Sequence, residues 1–256
     1  MKVMSEVSPE KLRGGYYTPQ PLVQFCFERL LTLLPDSREL RVLEPSAGDG
    51  AFFRGIAENS EIAGRIDSIQ GIEPQEIEAE KSKAVLSRIT TDSSVLSTSA
   101  IDWAIETNDQ FDAAVGNPPF VRYQFISADE RRSILELGLR SGLTFPGVSN
   151  LWIPVLVAGL SRLKDGGAFS FVVPSELLTG SSASVLRAWL TSSFENLRID
   201  LFRPGSFPEV LQEVVVISGT KLATKASAST ITISEGETLT SHARSWTHAI
   251  DPGESN

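Results

Sequence analysis

Residues 41–50 read RVLEPSAGDG, a short apolar strand that runs into a turn of small residues. Ala51-Phe52-Phe53 follows and begins a helical pattern, so the order is strand, glycine turn, helix. In an open α/β sheet, ligands bind beyond the carboxyl ends of the strands, where glycine lets the backbone come close to them. The stretch lacks a Gly-x-Gly-x-x-Gly spacing and a Walker lysine, which disfavours NAD and ATP as ligands.

The rest of the chain repeats this alternation of strand and helix. Helices are expected over residues 19–35, from residue 51, and over 76–87, 128–140, 151–163 and 181–192. Strands are expected over 41–43, 68–72, 93–96, 111–115, 168–173, 197–202 and 213–220, with a turn at 164–167 and the last two strands antiparallel. The sequence therefore predicts an α/β fold with a doubly wound, mostly parallel seven-stranded sheet and an antiparallel edge, a Rossmann-like architecture.

Composition excludes several classes of protein. The chain has 256 residues with one cysteine and two histidines, so a disulfide framework and a Cys/His zinc cluster are excluded and no metal is expected. The N-terminus has no apolar core of the kind that a secretory signal needs, and the longest apolar run, Ile153 to Leu160, is far short of a membrane span. We therefore expect a cytoplasmic protein without membrane contact. The net charge of −9 argues against a large phosphate-binding surface.

The glycine turn supplies groups that suit a polar ligand. Gly48 and Gly50 give the backbone its freedom, and Asp49 could hold a cationic amino group. Glu73, at the end of the next strand, could accept both hydroxyls of a ribose. The alternative is a tight turn with acidic residues at a helix start.

Asp102-Trp103 follows the third strand. There a carboxylate could accept from an adenine amino group while an apolar neighbour covers the ring. The alternative is a helix-capping aspartate beside a tryptophan of the core. The position after a strand favours the ligand-binding interpretation.

Asn117-Pro118-Pro119-Phe120 directly after a buried strand is the most informative segment. Two prolines fix φ at successive positions, so the Pro118 carbonyl and the Asn117 side-chain oxygen can face one NH2 group. Two such acceptors would aim the lone pair of a conjugated amine at an electrophilic methyl group, and Phe120 could stack on the heterocycle. The alternative is a purely structural turn, which explains the prolines but not the aromatic residue or the preceding strand.

These motifs, in this order, resemble those of the gamma-class N6-adenine DNA methyltransferases of the Asn-Pro-Pro-Phe type in restriction-modification systems. The resemblance covers residues 11–221 and implies a class I methyltransferase that uses S-adenosyl-L-methionine. Tyr17-Thr18-Pro19 looks like the family's N-terminal cofactor motif, and Asn117 to Phe120 like its catalytic tetrad. The resemblance implies cofactor contacts from Tyr17, Thr18, Pro19, Glu44, Pro45, Ala47, Gly48, Asp49, Gly50, Glu73, Asp102, Trp103, Asn117 and Pro119.

The resemblance also implies a second aromatic contact and a domain organisation. Gly205-Ser206-Phe207-Pro208 is similar to the loop whose aromatic residue sandwiches the flipped base opposite Phe120, although Phe207 as a core anchor stays an alternative. We expect residues 1–35 to form a helical segment with the cofactor motif, 36–222 the methyltransferase core, and 223–256 a partly flexible C-terminal extension.

The chain departs from the family in one respect. Members that act alone carry a further domain that reads the DNA sequence, and here the chain ends soon after the core. Together with the acidic charge, this predicts a separate specificity subunit or a missing target-recognition domain that presents double-stranded DNA with a flipped adenine.

Other functions remain open on sequence alone. A protein glutamine amide is a rival substrate, since Asn-Pro-Pro-aromatic loops also serve that chemistry, and an RNA base is another. A catalytically silent structural subunit is a third alternative. Cytosine C5 methylation needs a thiolate in the catalytic loop, whereas Cys26 lies on the apolar face of the first helix, as a small buried hydrophobe would.

Overall fold

The apolar patterns along the chain form alternating strands and helices in a computed structural model, which describes residues 18–35, 39–89, 92–145, 150–203, 206–207, 213–223, 229–238 and 241–250. The helices are α1 Gln20–Leu31, α2 Ala51–Glu58, α3 Ser60–Ala63, α4 Glu76–Leu86, α5 Ala100–Glu106, α6 Ala128–Ser141, α7 Trp152–Ser161, α8 Glu176–Thr179 and α9 Ser184–Ser193. The strands are β1 Leu40–Glu44, β2 Ile66–Ile72, β3 Asp92–Leu96, β4 Phe111–Gly116, β5 Leu163–Pro174, β6 Phe194–Phe202, β7 Val214–Lys221, β8 Ser229–Thr238 and β9 Ser241–Ile250.

The strands form one sheet in the order β3-β2-β1-β4-β5-β7-β6-β8-β9. The pairs from β3 through β5 are parallel, and β7 lies antiparallel between β5 and β6. The predicted doubly wound, mostly parallel sheet with an antiparallel region is confirmed. The chain leaves β1 towards β2 and β3 and then returns to β4 on the other side of β1, which makes the gap between β1 and β4 the topological switch point.

The predicted strand count is too low. Nine strands are described, because β8 pairs parallel with β6 and β9 pairs antiparallel with β8. The Ser- and Thr-rich composition suggested a loosely ordered extension, but the alternation around Ile231 and Ile233 suits a strand beside Leu197 and Ile199 of β6. Residues 229–238 and 241–250 therefore extend the sheet.

The turn predicted at residues 164–167 lies inside β5. The pairing with β4 moves from Phe111↔Leu163 to Ala113↔Ala168, so β5 carries extra residues at this point. Gly166 has φ of 72°, a left-handed conformation that glycine adopts without strain. The glycines therefore make a bulge at the start of a strand rather than a connection before it.

Helix α1 is held firmly against the sheet. Leu22, Val23 and Cys26 are fully buried on its inner face. Gly55 of α2 allows a close approach, because a Cβ at this position would lie 2.4 Å from Val23 Cγ1. At the other end, Arg29 donates through Nε and Nη2 to the two carboxylate oxygens of Asp200 on β6, at 2.8 and 2.9 Å. These contacts give the residues just before α1 a defined place beside the sheet.

Within the described part of the chain, no helix combines the length and apolar character needed to cross a bilayer.

Candidate active site

The loops after β1 and β4 meet at the topological switch point. Because β1 and β4 are parallel, with Val42 opposite Ala113, Glu44 and Gly116 end their strands at the same edge of the sheet. Ser46 Oγ lies 3.4 Å from the position that a Cβ on Gly116 would take. The glycine turn and the Asn117–Phe120 loop are therefore neighbours, as the sequence predicted for ligand-binding segments.

The glycine turn adopts a conformation that only glycine accepts readily. Gly48 has φ of 52° and Gly50 has φ of 84°, both in the left-handed region. A Cβ on Gly50 would also lie 3.2 Å from Ser82 Cα on α4. Ala47 N donates to Ile72 O over 2.9 Å, which ties the turn to the end of β2. The turn is thereby held in a fixed shape against α4 and the end of β2.

Glu73 follows β2 and reaches back to the glycine turn. Gly48 N donates to its Oε2 over 3.0 Å, and Gln75 N donates to its Oε1 over 2.9 Å. Burial raises the pKa of Glu73, and the two backbone donors oppose that shift. Each oxygen keeps a further lone pair, so the carboxylate can still accept from a pair of hydroxyl groups.

Glu44 is an unpaired carboxyl at the end of β1. It is 2% exposed, and its Oε2 is buried without a hydrogen-bond partner among the described residues. Burial raises the pKa of Glu44 well above its ordinary value, and the carboxylates of Asp49 and Glu73 raise it further. The group is set to take a polar or cationic ligand atom, which would supply the missing partner.

Asp49 is engaged within the protein. Arg54 Nη2 donates to Asp49 Oδ2 over 2.6 Å, and Arg54 Nη1 donates to the Asp49 carbonyl over 2.9 Å. The side chain predicted to hold a cationic group therefore already carries one. A second cation would have to share this carboxylate with Arg54.

Asp102 and Trp103 differ in their placement. Asp102 lies in the first turn of α5, where its backbone N–H is capped by Ser99. Trp103 is buried and packs against Phe111 at a ring distance of 6.0 Å. Phe111 begins β4, about 16 Å along the strand from its carboxyl end. The structure thus places the indole in the core, the alternative that the sequence left open.

The Asn117–Phe120 loop leaves β4 at the switch point. Asn117 is half-buried, and its Nδ2 donates to Thr18 Oγ1 over 3.1 Å. Its Oδ1 is buried and has no hydrogen-bond partner among the described residues. Pro118 and Phe120 are buried, and Val121 continues the loop by accepting from Leu151 N over 2.8 Å. Binding of an amine requires an acceptor atom that is fixed in position and has no other donor, as the Asn117 Oδ1 is.

Of the N-terminal cofactor motif, Thr18 and Pro19 are described, and Tyr17 lies outside the described residues. Pro19 precedes α1, and its carbonyl accepts from Leu22 N and Val23 N at 2.9 and 3.1 Å. The bond from Asn117 brings Thr18 to the catalytic loop, so two predicted site segments that are far apart in sequence do meet.

Phe207 lies beyond the carboxyl end of β6. It is partly buried and packs edge-to-face on Phe202 at a ring distance of 5.1 Å. Phe202 packs in the same way on Phe25 of α1, at 5.4 Å. Because β6 runs in the same direction as β4 and β5, Phe207 stands at the same edge of the sheet as Asn117.

Sequence reasoning missed several residues of this edge. Ser46 Oγ is a second buried polar atom without a partner among the described residues, beside Gly116. Phe125, in the 3₁₀ turn Tyr123–Phe125 after the catalytic loop, is 53% exposed. Phe125 could have been singled out because it is an apolar residue soon after the aromatic catalytic motif. Nothing in the sequence distinguished Ser46.

Cys26 lies in the core, as expected for a small hydrophobe. Burial raises the pKa of its thiol to about 12, so the thiol stays protonated at neutral pH. The thiol is fully buried in the hydrophobic core on the inner face of α1. The described side chains also contain no cluster of His, Cys, Asp and Glu able to hold a metal ion.

Comparisons with known proteins agree with this geometry. The Eco57I restriction-modification methylase family matches residues 56–203. The type II methyltransferase M.BanIII of Aneurinibacillus aneurinilyticus is 24% identical over 210 residues, which are 74% of this chain and 35% of that protein. The chain spans about a third of the length of the curated relatives that it matches.

Solved structures agree on the fold. The type I restriction-modification methyltransferase subunit of Streptococcus thermophilus has a TM-score of 0.66 at 15% identity, over 86% of this chain and 47% of that one. A Listeria monocytogenes chain described as a class I S-adenosylmethionine-dependent methyltransferase has a TM-score of 0.67 at 14% identity, over 89% of this chain and 68% of that one. The fold is that of the class I methyltransferases, and with more than half of its length matched the chain belongs to the Eco57I restriction-modification methylase family.

Proposed function

We propose that the chain transfers a methyl group from S-adenosyl-L-methionine to the N6 amino group of a flipped-out adenine in DNA, within a restriction-modification or related defence system. The observation that carries the proposal is the buried Asn117 Oδ1, which has no partner among the described residues and lies at the topological switch point. Membership of the Eco57I family and the similarity to M.BanIII support it.

The residues at the switch point fit S-adenosylmethionine. A Cβ on Gly48 would meet only Ser46 O, at 4.0 Å, so the turn is open at this position, and Glu73 offers lone pairs on both oxygens to ribose hydroxyls. The unpartnered Glu44 Oε2 suits the polar methionine part. We propose that the cofactor is held by Tyr17, Thr18, Pro19, Glu44, Pro45, Ala47, Gly48, Asp49, Gly50, Glu73, Asp102, Asn117 and Pro119.

Asn117 and Pro118 would bind the target amino group. Both present acceptors, the Asn117 Oδ1 and the Pro118 carbonyl, and proline restricts the backbone between them. When these two oxygens accept hydrogen bonds from both N–H groups of the target, they hold the nitrogen with its lone pair out of the plane of the ring. The lone pair then points towards the methyl donor. When bound, S-adenosylmethionine supplies an electrophilic methyl group on a sulfonium, whose sulfur keeps the bonding electron pair as the new N–C bond forms. The methylated nitrogen carries a positive charge until it releases one of its two N–H protons to water, and because this charged nitrogen is strongly acidic no strong base is needed in the site.

Phe120 and Phe207 would hold the base. Both follow the carboxyl ends of parallel strands of the sheet, and Phe207 meets Phe202 only at a ring edge. A flipped adenine can therefore stack on Phe207 without displacing its neighbour. We leave Trp103 out of the proposed adenine pocket, because it is buried against Phe111.

Recognition of the DNA sequence belongs to another part of the system in this proposal. The chain carries a net charge of −9, whereas DNA affinity comes chiefly from Lys and Arg. We propose that a specificity subunit or an additional target-recognition domain supplies those contacts. Residues 36–222 would form the catalytic core, 1–35 the cofactor segment, and the strands within 223–256 an extension of the sheet.

The test is to map modified bases in cells. The intact gene system is expressed in a host whose DNA lacks N6-methyladenine, and the DNA is sequenced by a method that reports base, position and context. We expect N6-methyladenine in one sequence context with the natural chain, none with Asn117→Ala, and full methylation with Asn108→Ala, which alters an exposed asparagine before β4. Methylation of cytosine, or undiminished methylation by Asn117→Ala, would overturn the proposal.

A further inference from the structure

Thr18 is joined to the catalytic loop by a single side-chain hydrogen bond. Asn117 Nδ2 donates to Thr18 Oγ1 over 3.1 Å, between residues 99 positions apart. We propose that Thr18 is a positioning residue, which sets the direction that the Asn117 amide faces. The inference rests on the proposed role of Asn117 and adds a residue that acts through it.

The orientation of the amide decides whether it can bind an amine. An asparagine side chain presents a donor on one side and an acceptor on the other, and a half-turn exchanges them. With Nδ2 on Thr18, the acceptor Oδ1 stays available and buried. In the reversed orientation the Asn117 NH2 would face the NH2 of the target, and two donors form no hydrogen bond.

Thr18 can enforce this choice only as an acceptor. A hydroxyl carries one hydrogen and two lone pairs, so it can pair with either end of an amide. In the structure Thr18 Oγ1 accepts from Asn117, which leaves its own hydrogen for a different acceptor. An acceptor on the bound cofactor would take that hydrogen in this proposal, because Thr18 belongs to the proposed cofactor segment. The hydroxyl would then have only its lone pairs left for Asn117.

The backbone around Thr18 is rigid enough to act in this way. Pro19 follows it, and the Pro19 carbonyl accepts the first two hydrogen bonds of α1. Helix α1 is fixed at one end by the close packing of Val23 at Gly55 and at the other by the ion pair of Arg29 with Asp200. Thr18 is therefore held in advance of substrate binding, which is the condition for orienting a partner without a further entropic penalty.

The first experiment measures methyl transfer with saturating cofactor and DNA, using the chain with whatever specificity partner the methylation requires. We expect Thr18→Val, which removes only the hydroxyl, to lower kcat about tenfold with little change in KM for DNA. Thr18→Ser should restore kcat to near the natural value. The matched control Thr32→Val alters an exposed threonine at the other end of α1, whose hydroxyl donates only to Arg29 O.

The second experiment needs no activity. The side-chain amide signals of Asn117 are identified in NMR spectra by their loss in Asn117→Ala, and their hydrogen exchange is followed with and without S-adenosylhomocysteine. We expect slow exchange of one amide hydrogen in the natural chain and in Thr18→Ser, slower still with S-adenosylhomocysteine, and fast exchange in Thr18→Val.

The outcomes separate the two proposals. A natural chain without methyl transfer in any context would end the proposed function, while the exchange measurement would still decide the role of Thr18. Thr18→Val with natural kcat, Thr18→Ser as impaired as Thr18→Val, or equal amide exchange in all chains would overturn the inference.

Discussion

Asn117 and Thr18 share a hydrogen bond of 3.1 Å that links the loop after β4 to the residue two positions before α1. Through it, the side chain expected to bind the target and the segment expected to bind the cofactor touch each other directly. The proposed target-binding loop and the proposed cofactor segment are therefore in direct contact in the folded chain. A change in the position of one segment alters the position of the other.

Asp200 should be important for stability. Its side chain is 2% exposed and accepts from both Arg29 and Arg198. Removing its charge in Asp200→Asn takes away the buried carboxylate that Arg29 and Arg198 share, so we expect the free energy of unfolding to fall by about 3–5 kcal/mol. Urea denaturation measures this. Asp129→Asn, at an 85% exposed carboxylate that contacts Arg132, is the matched control and should change little. Equal effects of the two substitutions would contradict the assigned role.

Glu73 should govern cofactor affinity. In Glu73→Gln the amide keeps one acceptor oxygen, but its NH2 group cannot accept from Gly48 N or Gln75 N, nor from a ribose hydroxyl. We expect S-adenosylhomocysteine to bind about tenfold or more weakly, as measured by calorimetry. Glu76→Gln, at an exposed carboxylate in the first turn of α4, should bind normally. Unchanged binding by Glu73→Gln would remove Glu73 from the site.

Glu44 should make the stability depend on pH. Its folded-state pKa is raised, so the folded chain keeps a proton that the unfolded chain has already released above the ordinary value of 4.5. The stabilisation is complete below that value and is lost as pH rises towards the folded-state pKa. We expect Glu44→Gln to flatten the fall in the free energy of unfolding as pH rises above 4.5, while Glu39→Gln at an exposed site leaves the slope unchanged. A slope that is the same in all three chains would argue against a protonated Glu44.

Phe125 should contribute to DNA binding and not to folding. It is 53% exposed, five residues after Phe120, and Phe125 N donates to Arg122 O over 3.0 Å. Bases inside a duplex are already stacked, but a flipped adenine leaves its neighbours partly unstacked, and an exposed ring that follows the proposed target loop can stack on one of them for about 1–3 kcal/mol. We expect Phe125→Ala to weaken binding of duplex DNA about tenfold without altering denaturation. Leu139→Ala, at a 79% exposed leucine on α6, should alter neither property. Equal DNA affinities of these two variants would refute the role.

Local patterns predicted the parts of the site that depend on local geometry. Gly48 and Gly50 indicated a tight turn, and Asn117-Pro118 after an apolar run indicated a rigid loop at the end of a strand. Strand order then brought these loops together, because parallel strands end at the same edge of the sheet. The fold, and the meeting of these two loops at one edge of the sheet, could therefore be predicted from the sequence.

The ion-pair and packing partners of individual side chains could not be predicted in this way. Asp49 was expected to face a ligand cation, but the structure pairs it with Arg54 one helical turn into α2. Trp103 was expected over an adenine, but the phase of α5 turns it inward to Phe111. Such choices depend on which neighbours the tertiary packing supplies, and no spacing in the sequence encodes them.

The C-terminal strands were missed for a different reason. Ser, Thr and Ala dominate the region, and most residues of β9 remain exposed on both faces. β9 is held by main-chain pairing with β8, whereas β8 also packs Ile231 against the core. Hydrophobic periodicity therefore has little to detect in β9, and the alternation in β8 is short.

The hairpin of β8 and β9 has a consequence for handling the protein in solution. In the described part of the chain, β9 is the last strand of the sheet, and its outer row of backbone donors and acceptors meets no further strand. Trp246 lies on this strand and is 45% exposed. An edge strand with unpaired backbone groups and an apolar side chain can pair with a strand of another copy of the chain. Concentrated samples should therefore self-associate through β9, and Trp246→Lys should extend the range of concentrations in which light scattering reports single chains.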